Sequence, residues 1–334
     1  MSVFRVCFWN VQNLFEVGTV NRGPQSDAEM AAKLERIGGV LMGAFGAAPS
    51  DLPDIIGLAE VHTERLARDV AERLPGPYDL IWSPPPPGQL QTGLALLVRR
   101  AIASHTTWLN EYRPSIGSRP RVMLAEIQLA LPNAPTILVA VNHWKSRMQH
   151  AGSAMTPDQD RNETATWLGD FLAERDKYDS VIVMGDFNAE PWEPPFGEFR
   201  LRGKRTFSGA LWSRSTPAYL YNTAWRFAAE PDLWENKVAA GGAYQEGRPK
   251  NTYAGTDSIL DHLLVSRALL RNGPLTLVEG TVTYVTAPPA GHHSAQGNLQ
   301  PHRWSFDPNT GNGEGAADHF PLIAQFQTQR EPLT

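Results

Sequence analysis

The sequence predicts an α/β fold in which two β-sheets pack face to face and helices cover their outer sides. Two observations lead there. Short apolar runs rich in β-branched and aromatic residues recur along the chain, several in neighbouring pairs. A few longer segments between them carry apolar residues at spacings of three and four, the period of a helix face. The mixture neither alternates strictly between strand and helix nor consists of strands alone, and sandwiched sheets with outer helices accommodate it. The chain has 334 residues, 42% of them hydrophobic, enough for one large core or two modest ones. No internal repeat or clear linker divides it, so residues 1–334 read as a single domain.

The first strand is expected at residues 3–9 (VFRVCFW), a buried run that includes Cys7. As the only cysteine, Cys7 cannot form an intramolecular disulfide and reads as a small buried hydrophobe. After a polar loop, Ser26-Asp27-Ala28-Glu29 has the form of a capping box. Met30, Leu34, Ile37, Leu41 and Phe45 then mark one helix face. Residues 54–58 read as a short buried strand that delivers Glu60 at its end, 63–74 as a helix, and Pro84–Pro87 as an exposed turn. Strands are expected at 93–99, 102–109, 121–129 and 136–141. Thr156-Pro157-Asp158-Gln159 is a second capped helix start, and its helix turns Trp167, Leu168, Phe171 and Leu172 inward. Residues 180–184 form a strand ending at Gly185. The segment 190–258 is rich in Trp, Pro, Gly and Arg with little periodicity, and reads as long surface loops with short strands. Strands return at 259–265, 275–285 and 321–327, with a Gly/His/Asn-rich loop at 287–316. Loops of that length inside a compact domain are often functional.

Lys and Arg number 30 against 35 Asp and Glu, a formal net charge of −5. A broad basic surface that coats nucleic acid is therefore not expected, although a local positive cleft remains compatible. With 19% charged residues, the chain lacks the composition of a disordered segment. No uncharged apolar run reaches the roughly 18 residues of a membrane span. The N-terminus shows no basic stretch followed by a long apolar one, so the expected location is cytoplasmic.

Polar residues with chemical potential stand where strands end. Asn10 follows the first strand, Glu60 the second, and Asn142 and His143 follow ILVAV. Asp186 and Asn188 follow VIVMG, Asp261 lies inside SILDHLLV, and Asp318 and His319 precede the last strand. Polar groups at one edge of a rigid sheet core make a good active-site rim. Taken singly, most have ordinary readings: a turn residue for Asn10, a helix cap for Glu60, an Asx turn for Gly185-Asp186-Phe187-Asn188. Asp261, flanked by apolar residues in a strand, needs a partner.

Their order supplies the resemblance. WNVQNLF (9–15), IIGLAEVH (55–62), VNHWKSR (141–147), MGDFNAEP (184–191), SILDHLLVS (258–266) and ADHFPL (317–322) occur in this sequence. Together they resemble the successive signatures of the endonuclease/exonuclease/phosphatase superfamily, and RVMLAEI (121–127) resembles the strand before the catalytic His or Tyr of its abasic-site endonucleases. The resemblance implies a four-layer α/β sandwich of two packed mixed β-sheets flanked by helices, with the site at one end of the sheets. It implies Mg²⁺ or Mn²⁺ at Glu60 and Asp318 with Asn10 close by, and a water oriented or deprotonated by Asp186. Asn188 would place the phosphate, and His319 would contact it with Asp261 holding the imidazole. His143, with Asn142, would face the scissile phosphate or the leaving oxygen. Two positions depart from the pattern: Gln12 stands where some branches carry an acid, and Ala59 where Gln is common.

These residue types suit phosphodiester hydrolysis. A phosphodiester is anionic and repels hydroxide; a hard cation held by oxygen ligands offsets that charge. A carboxylate near the water supplies a general base, and a histidine bonded to an aspartate is favoured as imidazolium. No His or Cys pair has the spacing of a zinc finger. Lys145, Arg121 and Arg147 are candidate substrate contacts, with Arg119 and Arg161 near them. Basic and aromatic residues are interleaved over 200–226, which suits either a single-stranded or distorted nucleic-acid groove or a local aromatic mini-core. The leading expectation is a nuclease acting on DNA, with RNA as the other nucleic-acid candidate. A lipid or inositol phosphate phosphoesterase and a non-catalytic nucleic-acid-binding domain are the alternatives. No membrane-targeting segment supports the first alternative, and the filled metal and histidine positions argue against the second.

Overall fold

The computed structural model describes residues 2–46, 51–85, 91–109, 122–130, 135–148, 155–174, 178–197, 203–204, 219–228, 252–253, 258–270, 273–293 and 299–328. Along the chain come β1 (Val3–Leu14), α1 (Asp27–Gly43), β2 (Ile55–Val61), α2 (Glu64–Ala71), β3 (Tyr78–Ser83) and β4 (Gly93–Arg99). Then follow β5 (Ala103–Trp108), β6 (Val122–Leu129), β7 (Thr136–His143), α3 (Pro157–Ala173) and β8 (Ser180–Asp186). The short β9 (Gly203–Lys204), β10 (Leu220–Asn222) and α4 (Trp225–Ala228) precede β11 (Asp261–Ser266) and β12 (Leu275–Tyr284). The last elements are β13 (Gly291–His293), β14 (Leu299–Pro301), β15 (Ser305–Asp307), β16 (Asn312–Glu314) and β17 (Leu322–Thr328).

Two mixed sheets form the centre. One has six strands in the order β12-β17-β1-β2-β4-β3, the other seven in the order β5-β6-β7-β8-β11-β10-β9. Strand alternation decides what each face touches. In β1, Phe4, Val6 and Phe8 enter the core between the sheets, where they share a cluster with Met123, Val139, Ile182 and Leu263. Cys7, Trp9 and Val11 point the other way and pack with Leu34, Ile37 and Leu41 of α1 and Leu66 and Val70 of α2. On the outer side of the second sheet, Leu138, Val183 and Leu264 meet Ala165, Leu168 and Phe171 of α3. The layers are thus helix, sheet, sheet, helix, as the resemblance implies.

Caps fix where the helices begin. Thr156 and Gln159 form a reciprocal capping box at the start of α3. At α1 only half the box forms: Ser26 accepts from the Glu29 N–H, while the Glu29 carboxylate takes the Gln25 N–H at 2.8 Å. Burial raises the Cys7 thiol far above its ordinary range, so it stays protonated. Among the described residues, no helix is long and apolar enough to cross a membrane.

Three elements differ from the sequence expectation. β1 does not end at Trp9 but continues through a register shift to Leu14, where it pairs with Val61. β3 is an additional edge strand whose middle is half-exposed, so it shows neither an apolar run nor a clean alternation. The 287–316 segment holds two short hairpins, β13–β14 and β15–β16, in place of a continuous loop. Most of 190–258 lies outside the described residues.

The sheets approach closely at Gly57 of β2, where a Cβ would stand 2.8 Å from the Met184 methyl and 3.2 Å from Val141. Gly57→Val is therefore expected to lower stability by about 1–3 kcal/mol through overpacking. Urea unfolding checks this as a lower midpoint at unchanged slope; an unchanged midpoint would show slack between the sheets.

Candidate active site

Pairing of the strands places candidates side by side. β7 runs parallel to β8 with His143 opposite Asp186, and β11 runs antiparallel to β8 with Asp261 opposite Asp186. Three polar residues thus stand abreast on neighbouring strands. The first sheet contributes Asn10 and Glu60 from the paired ends of β1 and β2, where the register shifts. Among the described residues, the non-glycine positions with positive φ are Gln12, Asn13, Glu60 and Asn188, at φ 51°, 50°, 66° and 49°. Each such position costs on the order of 1–3 kcal/mol, and all four lie on the segments that carry these candidates.

Hydrogen bonds join the two sheets here. Asn10 Nδ2 donates to Glu60 Oε1 at 3.2 Å and to Asp186 Oδ2 at 3.1 Å. Glu60 Oε2 accepts the Asn13 N–H at 2.6 Å, and Asp186 Oδ1 accepts the Asn188 N–H at 3.0 Å. His143 Nε2 lies 3.9 Å from Glu60 Oε1 and 3.8 Å from Asp186 Oδ2. His319 turns Nδ1 to Asp261 Oδ2 at 2.8 Å and Nε2 toward Asp186 Oδ2 at 3.6 Å. Its carbonyl accepts from the Trp9 indole at 2.9 Å. The Tyr253 ring lies against the His319 ring at 4.9 Å, and Arg303 donates to the Tyr253 hydroxyl at 3.3 Å.

The charges are strongly coupled to burial. Burial opposes a charge on His319, but Asp261, Asp186 and Asp318 outweigh it and hold the imidazole well above its ordinary range. Burial would likewise raise Glu60, yet His143, the Asn13 N–H, His319 and Asn10 bring it below the usual carboxylate value. Asp186 goes up through burial, opposed by His319 and reinforced by Asp261. Asp318 goes up through burial, opposed by His319 and reinforced by repulsion from Glu60. Lys33 of α1, only 1% exposed, donates to the Gln12 carbonyl. Burial lowers it to about 8 against the pull of Glu60, Asp318 and Glu29.

Two groupings could hold a cation. Ligand atoms of Asp186, Asp261 and His319 lie within 4.8 Å of one another. However, Asp261 Oδ2 already faces His319 Nδ1, and a protonated imidazole has no lone pair to offer. Glu60 and Asp318 repel each other, present oxygen only, and suit a hard divalent ion that relieves the repulsion. The described residues thus include a buried acidic and histidine group able to hold a divalent metal, with the oxygen-only pair Glu60 and Asp318 beside it.

Asn10 turns its amide nitrogen to the two carboxylates and its oxygen to the Gln12 N–H at 3.1 Å, so it bridges the carboxylates. Asn142 is fully buried; its Nδ2 donates to the Ala140 and Met184 carbonyls, both at 3.1 Å, and its oxygen accepts from Trp144. Its side chain thus braces the floor of the site. Lys145 is buried too and donates to the Met148 carbonyl at 3.2 Å, so it is no open rim cation. Arg147 does reach the rim: it donates to the Asn188 carbonyl at 3.3 Å and to Glu193 at 2.9 Å. Asn188 Nδ2 donates to the Trp144 carbonyl at 3.1 Å. Arg121 lies outside the described residues. The sequence reading missed Lys33, Tyr253 and Arg303; only Lys33 left a signal, a charge three residues after Met30 and four before Ile37 on the apolar stripe.

The profile of the Endonuclease/Exonuclease/phosphatase family matches residues 7–291. No curated protein matches the chain in sequence. Solved structures match over nearly its whole length. An endonuclease/exonuclease/phosphatase family protein from Bacteroides thetaiotaomicron is 16% identical, with 98% of this chain and 99% of that one covered and a TM-score of 0.55. The human Nocturnin catalytic domain with bound sulfate is 16% identical, with 98% and 95% covered and a TM-score of 0.51. A mannosyl-6-phosphatase from Bacteroides thetaiotaomicron is 16% identical, with 97% and 99% covered and a TM-score of 0.54. At such identity the likeness shows the fold, and it agrees with the four layers described above.

His262, next to Asp261, turns away from the site because strand residues alternate. It bonds the Ile259 carbonyl at 2.8 Å and Asn222 Nδ2 at 3.2 Å and packs on Phe187 and Phe196. Burial pushes it down to about 3, so the folded state holds it neutral while the unfolded chain protonates it near the ordinary value of about 6.5. Its contribution to stability is complete above about pH 6.5 and declines as pH falls toward about 3, by up to about 1.4 kcal/mol per unit. His262→Gln is expected to flatten the dependence of unfolding free energy on pH between about 6.5 and 4. Equal slopes in both proteins would show that His262 is not held neutral.

Proposed function

The chain belongs to the endonuclease/exonuclease/phosphatase family, and from that premise we propose that it is a Mg²⁺- or Mn²⁺-dependent phosphodiesterase acting on nucleic acid, with DNA the first candidate and RNA the second. We take residues 1–334 as one catalytic domain. The observation that carries the reading is the junction of Glu60 and Asn10 from one sheet with His143, Asp186 and the Asp261–His319 pair.

In this reading Glu60 and Asp318 hold the metal, which when bound offsets the charge of the phosphate. Asp186 accepts the proton of the attacking water; the Asn188 N–H and Asn10 Nδ2 fix its carboxylate for that task. His319, kept as imidazolium, donates from Nε2 to a non-bridging phosphate oxygen. Asp261 fixes its ring orientation from Nδ1. His143 lies across from Asp186 and faces the leaving oxygen. Asn188 and Arg147 line the rim beside the phosphate.

One feature favours nucleic acid over a lipid or inositol phosphate. Trp192 is 57% exposed on the segment that continues from Asn188, with the Trp225 ring 6.2 Å away. An exposed indole is a surface on which a base can stack.

A panel of plasmid, single-stranded DNA, abasic duplex, RNA, inositol phosphates and sphingomyelin, run with Mg²⁺, Mn²⁺ and EDTA, tests the proposal. Metal-dependent cleavage of a nucleic acid is expected. Glu60→Gln, Asp186→Asn and His319→Ala are each expected to reduce it by roughly 10²–10⁴-fold. Full activity in all three variants, or cleavage confined to the lipid or inositol arms, would refute it.

A further inference from the structure

We propose that Arg303, braced by Tyr253 against His319, forms an anion subsite that takes a second phosphate of the substrate, next to the one being cleaved. The inference rests on the reading of this pocket as a phosphoester site.

Two segments outside both large sheets meet here. Thr252 and Tyr253 are locked to the site by their backbone. The Thr252 carbonyl accepts the Phe320 N–H at 3.1 Å. Thr252 Oγ1 accepts the Leu260 and Asp261 N–H groups at 2.8 and 3.2 Å. Tyr253 itself bridges to His319, and its ring lies 4.9 Å from the imidazole. On this ring sits Arg303, its guanidinium 5.6 Å from the centroid and 3.3 Å from the hydroxyl. A cation over an aromatic face that also bonds the hydroxyl is held in one orientation.

The segment that carries Arg303 is pinned independently. The Trp304 N–H donates to Gln12 Oε1 at 3.0 Å, its indole to Glu29 at 3.4 Å, and Arg36 to the Gly313 carbonyl at 2.9 Å. Gly315, at φ +67°, lets the return strand pass where a Cβ would stand 2.2 Å from the Arg303 carbonyl. Gln12 thus fills its position by anchoring this segment to the first sheet.

The result is an exposed arginine held on the Tyr253 ring, which itself lies against His319. A planar donor fork matches a phosphate, and an oriented fork matches it with less loss of freedom on binding. The carboxylates of Glu60, Asp186 and Asp318 would repel the next phosphate of a polyanionic substrate, and Arg303 stands where that repulsion needs an offset.

Calorimetric titration of the Mg²⁺-loaded protein tests the subsite. The two probes are thymidine monophosphate and a thymidine bisphosphate phosphorylated on both hydroxyls. Wild type is expected to bind the bisphosphate about tenfold or more tighter. Arg303→Gln should lose that preference while binding the monophosphate as wild type does; Arg303→Lys should keep part of it, and Tyr253→Phe should weaken it. Loss of both affinities alike in Arg303→Gln, no change in either, or a wild type without preference would each overturn the subsite. A wild type that prefers the bisphosphate through Arg303 yet cleaves no phosphodiester would sink the hydrolytic reading and leave the subsite standing.

Discussion

Four carboxyl groups, Glu60, Asp186, Asp261 and Asp318, crowd the place where the ends of two sheets meet, and the surrounding structure is arranged around that crowding. Burying ionised carboxylates without partners is prohibitive. Here the partners are His319 between Asp261 and Asp186, His143 between Glu60 and Asp186, and Lys33 behind Glu60 and Asp318. Asn10 ties one carboxylate of each sheet together. The arrangement leaves Asp318 opposed by Glu60, an imbalance that a divalent cation would remove.

Such a site depends on sheet register. A slip of one residue would turn His143 and Asp186 to the opposite face. Gly57 lets the two sheets come close enough for the Asn10 amide to span them, and Gly185 lets β7 and β8 pair tightly beside the site. A Cβ on Gly185 would stand 2.4 Å from the Asn142 carbonyl. The positive φ at Glu60 and Asn188 is the local backbone cost of aiming these groups inward, and the core on both faces of each sheet over-determines it.

Much of this was legible in the sequence. β2, β4, β7 and β8 are continuous apolar runs, and Glu60, His143 and Asp186 stand at the ends of three of them, where only one face opens to solvent. Their order with Asn10, Asp261 and His319 carried the family resemblance and with it the four layers. What was not legible arises from alternation and from tertiary contact. Asn142 is the immediate neighbour of His143 and for that reason points the other way, into the floor with Trp144. Lys145 folds back on its own loop. Tyr253 and Arg303 come from segments with no periodicity, and only the folded chain brings them onto His319. Lys33 could have been noticed as a charge on an apolar stripe, but its partner, the Gln12 carbonyl, exists only through the bulge in β1.

On the proposed function, the polar ends of the two sheets form one cation-binding pocket around Glu60. Crystals soaked in Mn²⁺ and measured near the manganese absorption edge test it most directly. An anomalous peak in contact with Glu60 and Asp318 is expected, lost in a Glu60→Gln crystal. A peak bound elsewhere with this pocket empty, or one that survives the Glu60 substitution unchanged, would contradict it.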